Sequence, residues 1–192
     1  LANLYTSQGR YADSGRLHRR SLEMRERVLG PDHWHVAHSL INLASLYIRE
    51  GRYVDSEPLY QRGLAIYEKY FGPNHPDVAW ALTGLADNYV KQRRYGDAET
   101  LLQRALSVRK KALGLNHPEV AFAHQALASL YANQRRYADA IEWIRRSSSI
   151  YRYWLARQGQ RKTKVSQFFE GHQTNGLYLH ADLALRLSRE GK

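Results

Sequence analysis

From Pro76 to Gln92 the apolar positions are Val78, Ala79, Leu82, Leu85, Ala86, Tyr89 and Val90, with polar residues between them. They recur at three- and four-residue intervals, which puts them on one stripe of a helix. Pro76 suits the first turn, where a missing N–H loses no hydrogen bond, and Asn74 or His75 stands where a cap belongs. After a short turn at Arg93–Tyr95 comes a second stripe: Ala98, Leu101, Leu102, Ala105, Leu106 and Val108. It predicts a helix from about Gly96 to Leu113, ended by Gly114.

The pattern then starts again. "LASLYIREGRYVDSE" begins at Leu43, "LADNYVKQRRYGDAE" at Leu85 and "LASLYANQRRYADAI" at Leu127, a spacing of 42 that reaches back to Leu1. Tyr5, Tyr47, Tyr89 and Tyr131 form one column; Tyr11, Tyr53, Tyr95 and Tyr137 a second; Asp13, Asp55, Asp97 and Asp139 a third. The connectors "GPDHW", "GPNHP" and "GLNHP" separate the units. A fixed period of this size marks a stacked array, in which each helix pair covers the apolar face of the one before. Two columns stay small: Ser14, Ser56, Ala98, Ala140 and Ser21, Gly63, Ala105, Ser147. Small side chains let neighbouring helices approach while Leu and Tyr fill the space beside them. Pro58 is expected in the first turn of its helix, so that helix should not begin much before Val54. The Asp column falls near second-helix starts, where a carboxylate complements the helix dipole.

Leu43, Ala44, Tyr47, Gly51, Tyr53, Ser56, Tyr60 and Gly63 resemble the tetratricopeptide repeat. The 42-residue length and the "GPNHPDVA" connector resemble its kinesin-light-chain variety. The resemblance covers about residues 1–157 and implies an all-α, right-handed superhelix of stacked antiparallel helix pairs. Four units are expected, at about 1–31, 32–73, 74–115 and 116–157, the first truncated. A basic junction at 158–164 follows, then a long helix over 165–192 that begins a partial fifth unit. Both ends then fall inside a unit, as in a fragment of a longer protein, and their apolar faces favour end-to-end self-association. The Arg-rich, Lys-poor style resembles bacterial members, where such arrays often precede a caspase-like CHAT peptidase.

The resemblance also implies a job: binding a peptide or partner protein along the concave face lined by the first helices. Carried over column by column, the groove residues are His38, Asn42, Ser45 and Arg49, with Ile41 beside them; then Trp80, Thr83, Asp87 and Lys91; then Phe122, Gln125, Ser129 and Asn133. Asn42 matches the family's groove asparagine, but Gly84 and Ala126 occupy that column next. Trp80 and Phe122 are candidates for an apolar anchor pocket. A regulatory segment of a larger signalling enzyme, switched by a partner, is the alternative.

Composition narrows this further. The absence of cysteine excludes disulfides and thiolate chemistry, and fits a reducing, cytoplasmic setting. No apolar run is long enough to cross a bilayer. No catalytic arrangement, cofactor motif or metal set stands out, so a non-enzymatic scaffold is expected. In "HWHVAH", His35 and His38 share a face without a third ligand, while His33, His75 and His117 read as connector histidines donating to backbone carbonyls. The net charge of +11 favours acidic partners. Arg145, Arg146, Arg152, Arg157, Arg161, Lys162 and Lys164, interleaved with Tyr151, Tyr153 and Trp154, raise nucleic-acid binding as the weaker reading. A solvated junction touching a missing C-terminal domain is the stronger one.

Overall fold

The computed structural model describes residues 2–158. The expected helix over 165–192 and all but the first residue of the basic junction lie outside them. Among the described residues there are eight helices and no strand: α1 (Ala2–Ser7), α2 (Tyr11–Leu29), α3 (Trp34–Arg49), α4 (Tyr53–Phe71), α5 (Pro76–Lys91), α6 (Tyr95–Leu113), α7 (Pro118–Asn133) and α8 (Tyr137–Gln158). The chain divides into two compact units, Leu1–Val108 and Arg109–Lys192.

In the first unit α1 packs on α2, α2 on α3, α3 on α4 and α4 on α5, and α3 also meets α5. The small columns do what their size requires. Ser14 and Ser56 are fully buried. The Ser56 hydroxyl donates to the Ala44 carbonyl of the partner helix at 2.9 Å, so the two backbones lie close. A Cβ on Gly63 would sit 2.8 Å from Ile41 Cγ1 and 3.3 Å from the Ala37 carbonyl. Ile41 is therefore core, only 1% exposed, and not a groove residue as its column implied. In the second unit α7 packs on α8, with Leu127, Leu130, Ala140 and Ile144 buried.

Three local devices refine this picture. The connector histidines are N-caps that accept rather than donate: His33 Nδ1 takes the His35 N–H, His75 the Asp77 N–H and His117 the Glu119 N–H, each at 3.2 Å. Each satisfies an N–H that the first turn leaves open. Pro58 lies inside α4, five residues past its start at Tyr53. It removes the N–H that the Val54 carbonyl would accept, at a residue that is 79% exposed. The hairpin turns carry a left-handed residue at one position: Gly9 and Gly51, but Arg93 (φ 61°) and Arg135 (φ 60°) in the later units. A side chain there costs roughly 1–2 kcal/mol that glycine avoids.

The turns also carry a repeated clasp. Arg10, Arg52, Arg94 and Arg136 lie over the rings of Tyr5, Tyr47, Tyr89 and Tyr131, with guanidinium carbons 4.2, 3.9, 3.9 and 4.4 Å from the ring centroids. Each arginine also reaches the aspartate three residues on, through Nε–Oδ2 contacts of 2.9, 2.8, 2.9 and 2.7 Å. The Asp column thus sits in the first turn as expected, and serves the arginine as well as the helix dipole. Side chains from both helices of a hairpin meet on one cation.

Candidate functional site: the first-helix face

His38, Trp80 and Phe122 form one column, 42 residues apart. In the first unit the His38 imidazole stacks on the Trp80 indole, centroids 5.8 Å apart and planes 27° from parallel. Asn42, one turn along α3, donates its amide N–H to His38 Nδ1 at 3.1 Å, which leaves the ring proton on Nε2. Packing around the ring, then the charges of Arg25 and His35, hold the His38 pKa below its usual value, against an opposing pull from Asp77. The imidazole is neutral at pH 7 and stacks as a flat, weakly polar plate. Trp80 stays 38% exposed, so its free face remains open to an apolar partner group.

The next turn is polar. The Ser45 and Tyr60 hydroxyls share a hydrogen bond of 2.6 Å, and burial pushes the Tyr60 phenol up to about 12. Tyr60 comes from the second helix of its hairpin, yet its ring reaches this face. A Cβ on Gly84 would lie 2.4 Å from Tyr60 Cε1. The ring therefore takes the room that a side chain at position 84 would need, which explains why the Asn42 column breaks there. Beyond it stand Arg49, Asp87 and Lys91, all exposed. Crowding raises the Asp87 pKa, and the charges of Lys91 and Arg49 partly offset this. Thr83 turns its hydroxyl back to the Ala79 carbonyl at 2.8 Å.

In the second unit α7 carries Phe122, 38% exposed like Trp80, with the Arg109 guanidinium 5.8 Å from its ring centroid. Gln125 is half-buried and Ser129 exposed. Asn133 donates back to the Ser129 carbonyl at 2.8 Å.

Beside His38 and Asn42, a cleft of about 180 Å³ opens between α2 and α3, edged also by His18 and Arg25. Its floor includes Ser21, the register equivalent of Gly63, which α3 covers in the next hairpin. Among the described residues, no three potential ligands gather to hold a metal. In the basic stretch, Arg146 is held by Glu142 at 3.1 Å and lies over Trp143, and Arg157 donates to the Tyr153 hydroxyl at 2.9 Å. No helix among the described residues is long and apolar enough to cross a membrane.

The tetratricopeptide-repeat profile matches residues 1–68, 35–111 and 84–152, so the chain belongs to the tetratricopeptide-repeat family. Its fold is the all-α solenoid of that family. It is similar to the crystal structure of nearly identical TPR-like repeats from a Podosopora anserina protein described as a kinesin light chain (18% identity, TM-score 0.68, covering 100% of this chain and 94% of that one). It is also similar to BtubC (BKLC) from P. vanneervenii (23% identity, TM-score 0.69, covering 98% of this chain and 76% of that one). No curated protein matches the sequence.

Proposed function

We propose that the chain is a binding module that holds a polypeptide partner against its first helices, and that it performs no chemistry of its own. The carrying observation is the His38–Trp80–Phe122 column. It keeps two large aromatic rings at equal partial exposure, at the same place in successive first helices, while Val78, Leu82, Leu85, Val120, Leu127 and Leu130 of those helices are buried. Such rings offer an apolar partner side chain a flat surface to bury. Asn42 and the Ser45–Tyr60 pair lie beside His38 and supply donors and acceptors for a partner backbone. Arg49, Asp87 and Lys91 add charges that steer the encounter.

The test is a peptide-library pull-down with the parent chain and the variants Asn42→Ala and Trp80→Ala, each shown by circular dichroism to keep its helix content. Loss of at least part of the captured set is expected, with Trp80→Ala more severe. Retention of every captured peptide by both variants sinks the reading.

A further inference from the structure

His124 sits where the array otherwise keeps leucine: Leu40 and Leu82 occupy the same column, both fully buried. The imidazole is itself only 5% exposed, and neither ring nitrogen has a hydrogen-bond partner. It leans against the Trp143 indole of α8 at 5.2 Å. The Ser147 hydroxyl on α8 is also buried and unpartnered. This is an expensive place for an imidazole, and a far more expensive one for an imidazolium.

The surrounding charges add to that cost. In the first unit, Arg62 is met by Glu26 at 2.7 Å, and Arg104 by Glu68. The same columns in the second unit hold Lys110, in the last turn of α6, and Arg146 on α8: two bases in place of a base and an acid. Glu142 pairs with Arg146 itself, and Glu119 with Arg109. A proton on His124 would make a third cation. Burial, then Lys110 and Arg146, push its pKa down to about 4. The Arg146 main chain favours the charged ring but does not reach hydrogen-bonding geometry.

We propose that His124 is an acid-sensitive latch on the α7–α8 hairpin: neutral, it closes the hairpin as leucine does elsewhere, and protonated, it opens it. The proton is taken up when the hairpin opens and the ring reaches water. Because the closed-state pKa is depressed, the hairpin is fully secured above the open-state value of 6.5 and loosens as pH falls towards about 4. Opening also displaces Phe122 and Gln125 of α7, two residues on which the proposed binding draws. That consequence rests on the proposed polypeptide binding; the latch itself does not.

The experiment is amide hydrogen exchange on the whole chain at pH 7 and pH 5, corrected for intrinsic rates, with fragments resolved by mass. The α7–α8 amides should open about 20-fold more readily at the lower pH, and the α4–α5 amides much less. His124→Leu restores the column residue and should flatten the α7–α8 response. A ring-proton titration on the parent chain gives a second measurement that needs no variant to fold, with the His124 resonance identified by its absence from His124→Gln. A midpoint well below the ordinary histidine value supports the latch. An ordinary midpoint overturns it, as does an acid response that persists undiminished in His124→Leu.

Discussion

Position 84 shows how one side chain decides what its neighbour can be. Tyr60 is 2% exposed and fixed by Ser45, so its ring cannot retreat from a new Cβ. Gly84→Ala should therefore destabilise the fold by about 1–3 kcal/mol, and Gly84→Asn, which would complete the asparagine column, by more. Denaturant titration checks both. The clasp gives a second residue-scale prediction. Arg94 stacks on Tyr89, pairs with Asp97 and also donates to Glu57 at 3.0 Å. Glu57 accepts from Tyr89 and Gln92 as well. Burial opposes the Glu57 charge, yet these bonds outweigh it and hold the carboxyl below its usual pKa. Thermal melts should place Arg94→Ala several degrees below the parent and Arg94→Lys between them, since lysine keeps the charge and loses the planar stack.

At the scale of the helix, most boundaries were legible in the sequence and their causes were less so. Apolar spacing located the helices, and Pro76 and Gly114 marked ends that the structure keeps. The cap at His75 was legible, but the connector histidines accept where donation was expected, because donor and acceptor roles of an imidazole leave no trace in a sequence. The start of α4 agrees with the limit that Pro58 set, but it leaves Pro58 past the first turn, beside an exposed Val54. Pro58→Ala should restore one helical hydrogen bond and stabilise the protein by about 1–3 kcal/mol. A lower or unchanged unfolding midpoint would mean that the proline's restraint on the unfolded chain outweighs the missing bond. The arginine clasp column was visible at fixed spacing all along; what hid it was reading the aspartates alone.

For the whole molecule, the 42-residue period carried the family and the fold, because stacked units must repeat their buried columns to stack at all. The first-helix face was legible as columns but not as chemistry. The His38–Trp80 stack joins residues from separate helices, and the intrusion of Tyr60 comes from the helix behind. Neither follows from spacing, which fixes the face a residue occupies and leaves its rotamer open. His124 is the reverse case: a plain break in a leucine column whose meaning depends on the two bases that the structure brings near it.

The Tyr–Arg–Asp clasp has a bearing on how the chain is made. Its three members lie within nine residues in every hairpin, from Tyr47 to Asp55 for example. The chain closure they require is short and fast, so a hairpin can fasten itself while its successor is still being synthesised. Growth from the ribosome would then proceed bead by bead, with each finished pair offering a ready surface to the one emerging after it.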